Sequence, residues 1–314
     1  MNKYISMKQK VELYCTHRRR LGYVSCGIET GLLKFAEYLD NSGYRGPLTT
    51  ELAIKWAMAS KKHCRSAWGR RLAYIYGFAK YYKPIDPETE IPPPNLYGSI
   101  YHRPAPYIYS EKEIYDLIKY TKKLSPITGL KPITFKYLLG LLVSTGLRIS
   151  EAIRLTRKDV DLINGILTIR ETKFHKSRYV PLHETTKNAL INYSNIRDKK
   201  VPLTIAPEFF ITDNSHALRL QQTEIDFKWL RENLGLKGHP RLYDFRHTFA
   251  CQKLLQWYHE GKNVNEMMVY LATYLGHTYV TGTYWYLTAI PKLMSVISKK
   301  FEQFSISGQG ENDE

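Results

Sequence analysis

The chain has 314 residues, 46 of them Lys or Arg against 29 Asp or Glu, for a formal net charge of +17 at pH 7. This length suits one large domain or two modest ones, each able to bury its own core, and so basic a balance points to a polyanionic partner, nucleic acid before any other. Four scattered cysteines (Cys15, Cys26, Cys64, Cys251) without a C-x-x-C pair argue against a disulfide framework and against a zinc site, so no metal is expected.

The longest apolar stretch, Tyr137 to Val143, is too short to span a bilayer, and the opening Met1-Asn2-Lys3-Tyr4 lacks the apolar core of a signal peptide. A reduced, cytoplasmic protein with no membrane partner is expected, associated with the nucleoid if the polyanion is DNA. The charge is spread along the chain: residues 1–108 hold 17 Lys and Arg against 8 Asp and Glu, and the remainder holds 29 against 21. Both parts are therefore candidates for contact with a phosphate backbone.

The first part reads as four helices. Residues 3–20 end in Arg18-Arg19-Arg20 just before Gly22, a helix-stop signal. Residues 29–41 place Leu32, Leu33, Ala36 and Leu39 on one face. Thr49-Thr50-Glu51 opens a third helix with a threonine cap. Residues 62–82 form a fourth, with Trp68, Leu72, Ile75 and Ala79 at helical spacing. Arg65, Arg70 and Arg71 fall largely off that stripe, which makes them candidate DNA contacts. Residues 84–107 then carry seven prolines, which block helix and stiffen the chain, and predict an extended linker over 84–108.

The second part reads as mixed. Ser110-Glu111-Lys112-Glu113 is a capped helix start, an apolar helix covers about 133–144, and a short helix runs from Arg148 to about Leu155. Asn164-Gly165 signals a tight turn. Strands are predicted around Ile166–Arg170 and Arg178–Leu182, with a polar loop, Glu171–Ser177, between them. From Glu184 the pattern is mainly helical, interrupted at Gly282 and Pro291. Residues 291–304 place Leu293, Val296, Ile297 and Phe301 at helical spacing, and residues 306–314 form a polar tail expected to be disordered.

Four segments stand out in order: Ser144-Thr145-Gly146-Leu147-Arg148-Ile149-Ser150-Glu151; Thr172-Lys173-Phe174-His175-Lys176-Ser177-Arg178-Tyr179-Val180-Pro181-Leu182; Tyr243-Asp244-Phe245-Arg246-His247-Thr248-Phe249-Ala250; and Leu275-Gly276-His277, with Tyr286 nine residues beyond the histidine. Each alone has an ordinary explanation, such as an ion pair at a helix end or a packed tyrosine. The ordered set resembles the tyrosine recombinases, the phage-integrase-like site-specific recombinases, over roughly 109–290. The likeness is strongest to integrases carried by bacterial mobile elements, through Thr283-Tyr284-Trp285-Tyr286-Leu287 and the Lys173 to Arg178 loop.

The resemblance implies two domains. The first, 1–83, would be an all-α, four-helix, SAM-like core-binding domain. The second, 109–305, would be a mainly α catalytic domain with a small antiparallel β-sheet. The pair would clamp double-stranded DNA from opposite sides. It further implies that Arg148 and Arg246 are the two catalytic arginines, Glu151 the acid supporting Arg148, Lys173 the hairpin lysine, His277 the late histidine and Tyr286 the nucleophile. Tyr243 departs from the pattern, which usually has histidine three residues before the second arginine. A phenol still donates a hydrogen bond but is a poorer base, with an ordinary pKa near ~10. His247, about 100° around a helix from Arg246, is read as packing or capping rather than replacing that histidine. Tyr284 and Trp285 are read as packing residues and Tyr279 as a turn residue.

These residue types suit phosphoryl transfer. Attack on a phosphodiester builds negative charge on the non-bridging oxygens, which two always-charged guanidinium forks grip bidentately. A lysine whose pKa is lowered by nearby arginines protonates the 5′-hydroxyl leaving group. A 3′-phosphotyrosyl bond conserves the phosphodiester energy, so no cofactor, metal or ATP is expected. The resemblance implies DNA integration or excision for a mobile element, through a synaptic tetramer on DNA and in some systems with sister recombinases. Two alternatives stay open: a type IB topoisomerase-like activity on the same residues, and a DNA-binding regulator descended from a recombinase.

Overall fold

The computed structural model describes residues 5–23, 25–98, 105–170, 177–203, 206–277, 279 and 281–288. The chain divides into two units, Met1–Pro104 and Ala105–Glu314. Among the described residues it is mainly helical, with one small sheet. No described helix is long and apolar enough to cross a membrane.

The first unit holds α1 (Met7–Arg20), α2 (Cys26–Asn41), α3 (Thr50–Met58) and α4 (Arg65–Tyr82). Ser6 opens α1 in a capping box: its hydroxyl accepts from Gln9 N and the Gln9 side chain accepts from Ser6 N. Thr49 caps α3 by accepting from Leu52 N. Val11, Leu32, Phe35, Trp56, Ile75 and Phe78 form the core from all four helices. The described part of the proline-rich stretch lies against these helices. Glu90 N donates to Leu48 O, the Glu90 carboxylate accepts from Thr50 N, and the Tyr97 ring packs edge-on against Trp68.

In the second unit Ser110 caps α5 (Glu111–Tyr120) through a capping box with Glu113. The next helix, α6 (Lys131–Thr145), buries Phe135, Leu138, Leu139, Leu141 and Leu142 on one broad face and leaves Lys136 and Ser144 exposed on the other. A broad apolar face belongs against a core, and α6 packs against α5, α8 (Glu184–Lys200) and α10 (Asp244–His259). Each fully buried leucine there contributes about 1.5–3 kcal/mol. A short α7 (Ile149–Ile153) follows.

Strands β1 (Val160–Asp161), β2 (Ile166–Ile169) and β3 (Arg178–Pro181) form an antiparallel sheet in that order, with Leu167 opposite Val180 and Ile169 opposite Arg178. Alternation turns Leu167, Ile169 and Val180 inward and leaves Tyr179 exposed. The sequence reading missed β1 because two residues carry no period. The remaining helices are α9 (Leu220–Asn233), α11 (Val264–Leu275) and α12 (Thr281–Thr288). The expected break at Gly282 is corrected: Gly282 lies in the first turn of α12. The chain turns instead at Gly276, whose φ of +69° ends α11 in a left-handed cap.

Candidate active site

The site is assembled from four chain segments in the second unit. The first is the end of α6. There Gly146, at φ +62°, turns the chain so that Arg148 becomes the N-cap of α7. Glu151 sits one turn on, buried, and accepts from Arg148 N at 3.1 Å and from Arg148 Nη1 at 2.7 Å. No other partner of the Arg148 guanidinium lies among the described residues.

The second segment is β3. Arg178 donates to both Glu151 oxygens, at 3.2 and 2.8 Å, and its Nε donates to Tyr274 O at 2.8 Å. Burial alone would raise the Glu151 pKa. The Arg178 fork and then Arg148 overcome it and hold the carboxyl at about 2. Glu151 is therefore an anion at any working pH.

The third segment is the start of α10. Arg246 is 0% exposed, donating from Nη1 to Gly146 O at 3.0 Å and from Nη2 to Leu275 O at 2.6 Å. Its Nε is buried with no partner among the described residues. Both anchors are neutral carbonyls, and among the described residues no carboxylate pairs with the charge. Burial lowers the pKa of the group, but a guanidinium stays protonated. A buried cation held in this way is a seat for an anion.

The fourth segment runs from α11 into α12. The His277 Nδ1 lies 2.6 Å from Thr283 Oγ1. Burial first, then the charges of Arg246, Arg148 and Arg178, pushes the His277 pKa down to about 4, so the ring is neutral at pH 7. Tyr286 is 2% exposed. His277 stacks on its ring with centroids 5.9 Å apart, and His247 meets it edge-on at 5.2 Å. Burial raises the phenol's pKa, while Arg246 and, more weakly, Arg148 pull it down.

Arg148, Glu151, Arg246, His277 and Tyr286 are thus brought together. Tyr243, at the N-cap of α10, joins them through its ring, 5.1 Å from His247. Lys173 lies outside the described residues, as do 291–304 and the polar tail. Tyr279 is 74% exposed between α11 and α12, and Tyr284 is 41% exposed. The reading of Tyr284 as a packing residue is corrected, because its place on α12 turns it away from the face that buries Tyr286. His247 does pack, and it packs on Tyr243 and Tyr286 together. In the first unit Arg65 and Arg70 are exposed on α4, whereas Arg71 lies over the Trp56 ring at 3.8 Å from its centroid.

Three residues of the site escaped the sequence reading. Arg178 sat within a quoted segment, but nothing in spacing shows that it reaches Glu151, 27 residues away. Thr283 and the bridging position of His247 are equally matters of packing between elements.

A fold of this kind around two arginines, a histidine and a buried tyrosine defines a class, and comparison with known proteins gives the same class. The profile of the phage integrase family matches residues 108–291. A protein of Sinorhizobium fredii named as integrase/recombinase y4rB is 36% identical over 312 residues, covering 95% of this chain and 98% of that protein. The tyrosine recombinase XerC of Herpetosiphon aurantiacus is 27% identical over 290 residues, covering 89% and 90%. Among solved structures, the integrase of transposon Tn1549, in complex with transposon right-end DNA, aligns with a TM-score of 0.66 at 17% identity, covering 93% of this chain and 98% of that one. The chain belongs to the phage integrase family of tyrosine recombinases.

Proposed function

We propose that the protein is a site-specific DNA recombinase of a mobile element, cutting and rejoining strands through a 3′-phosphotyrosyl intermediate. One observation carries this reading: a buried tyrosine, Tyr286, lies under the field of a buried Arg246 whose guanidinium donates to the carbonyls of Gly146 and Leu275 and pairs with no carboxylate among the described residues.

In the proposed reaction the Tyr286 oxygen attacks a backbone phosphorus. The Tyr–O–P bond forms, the P–O5′ bond breaks, the tyrosine proton leaves, and the 5′-oxygen takes up a proton. Arg246 through Nε, and Arg148 through the donors Glu151 does not use, neutralise the non-bridging oxygens. Losing one such donor typically costs about 3–4 kcal/mol of transition-state stabilisation. With Thr283 donating to Nδ1, neutral His277 carries its proton on Nε2 and offers it to the same phosphate. Tyr243 adds a phenolic donor. Lys173 protonates the leaving 5′-oxygen. Each step conserves the phosphodiester energy and asks for neither ATP nor a metal.

Residues 1–83, within the first unit, are proposed as a core-binding domain with Arg65 and Arg70 at phosphates. It would clamp DNA with the catalytic domain across the 84–108 linker, and four protomers would assemble on paired sites. The test is covalent capture. A pool of nicked duplexes with randomised sequence is incubated with the protein in EDTA and without ATP, and linked DNA is isolated. A defined sequence class is expected. Loss of capture in EDTA contradicts the metal-free route, and relaxation of any plasmid without a preferred sequence indicates a topoisomerase instead.

A further inference from the structure

Arg178 has no role in the reaction just described, yet it makes three well-formed hydrogen bonds to two elements of the site. Two guanidinium groups hang from consecutive carbonyls at the C-terminal end of α11: Arg178 on Tyr274 O and Arg246 on Leu275 O. Those carbonyls lack helical partners and carry the negative end of the helix dipole. Gly276 makes room for the arrangement, since a Cβ there would meet Arg178 Nη1 at 2.8 Å.

The bonding of Glu151 shows what the second arginine does. A carboxylate offers about four lone-pair sites. Oε1 accepts from Arg148 Nη1 and Arg178 Nη1; Oε2 accepts from Arg148 N and Arg178 Nη2. All four sites are filled, and Arg178 fills one on each oxygen. Take Arg178 away and each oxygen has a free site beside the unused donors of Arg148. The stable arrangement of an arginine and a lone buried carboxylate is a two-pronged pair. Glu151 would then draw in the donors that the phosphate needs.

We propose that Arg178 is a positioning residue, which saturates Glu151 and ties it to α11 so that the free donors of Arg148 stay available to the scissile phosphate. The inference rests on the recombinase reading of the site. It also gives β3 a mechanical task, because the strand begins five residues after Lys173 in the sequence.

The test compares Arg178→Met, Glu151→Gln and the double variant, with Arg178→Lys as a conservative control and circular dichroism to confirm folding. The probes are a nicked duplex captured by the wild type and, separately, inorganic phosphate bound to the free protein. Arg178→Met should keep DNA affinity and slow adduct formation about 100-fold, the scale of losing one phosphate donor. The double variant removes the carboxylate that misdirects Arg148, so it should form adduct at least about tenfold faster than Arg178→Met, a non-additivity expected only of coupled groups. Arg178→Lys should fall between. Phosphate affinity should follow the same order.

A merely structural arginine would give a double variant no better than the single one, and that result overturns the proposal. So does an Arg178→Met protein that cleaves and holds phosphate like the wild type, or a wild type that holds no phosphate. A wild type that holds phosphate but captures no duplex contradicts the recombinase reading instead, and the phosphate arm still decides the role of Arg178.

Discussion

Thr283 is buried and bonded to the Nδ1 of His277, which leaves Nε2 as the ring nitrogen for the proposed phosphate contact. Thr283→Val keeps the shape and removes that bond; adduct formation should fall about tenfold with DNA affinity unchanged, less than the roughly 100- to 10,000-fold that a positioned proton donor itself supplies. Single-turnover rates check this, and an unchanged rate would remove Thr283 from the account. Tyr243→His should retain or raise activity and Tyr243→Phe should lower it; equal rates for the Phe variant would make Tyr243 a packing residue. Lys173→Ala should slow cleavage of normal DNA and recover on a substrate with a sulfur leaving group, which needs no proton.

Glu151 gives a pH signature. Its folded pKa of about 2 lies below the ordinary 4.5, so the folded state binds fewer protons than the unfolded chain between those values. Its contribution to stability is complete above about pH 4.5 and is lost as the pH falls towards 2. Glu151→Gln should lose about 3 kcal/mol at neutral pH, as expected when a buried ion pair loses one partner. It should also flatten the acid limb of a denaturation series, and an unaltered limb would contradict the assignment.

At the scale of elements, the site depends on a left-handed turn at each of two helix ends. Gly146 stops α6, and its carbonyl seats Arg246. An alanine there would need a positive φ and would place its Cβ 2.6 Å from the Phe249 ring. Gly146→Ala should therefore cost about 1–3 kcal/mol and lower cleavage more than DNA binding, because the seat of Arg246 moves with the turn. Thermal denaturation and single-turnover cleavage together check both halves. Most elements were readable from sequence, because caps such as Ser110 with Glu113 and face patterns such as Leu32 to Leu39 are local. Arg148, Arg246, His277 and Tyr286 became candidates through the resemblance of the ordered set to the tyrosine recombinases, and the fold brings them together. Arg178 on Glu151 and His247 between two tyrosines were not, since contact across 27 or 39 residues leaves no period. Strand β1 was too short to signal itself, and Gly282 was over-read because a glycine in a first helical turn costs little.

In the whole molecule both basic halves are expected to engage phosphates. Binding to a duplex of about 30 base pairs should weaken steeply with salt, since each neutralised phosphate releases counterions at a slope near −0.9. A slope near zero would exclude the clamp. Truncation after Pro291 should spare DNA binding and impair synapsis, read as loss of the slowest-migrating complex on native gels; unchanged recombination by the shortened chain would refute a role in assembly.

Tyr286, rather than the exposed Tyr284 or Tyr279, is proposed to become linked to DNA. The most direct measurement traps the complex on a nicked duplex, digests it and identifies the DNA-bearing peptide by mass spectrometry. Linkage at Tyr286 is expected, with no adduct from Tyr286→Phe while DNA binding stays intact, and a normal adduct from Tyr284→Phe. An adduct on Tyr284 or Tyr279, or one that survives Tyr286→Phe, would contradict it.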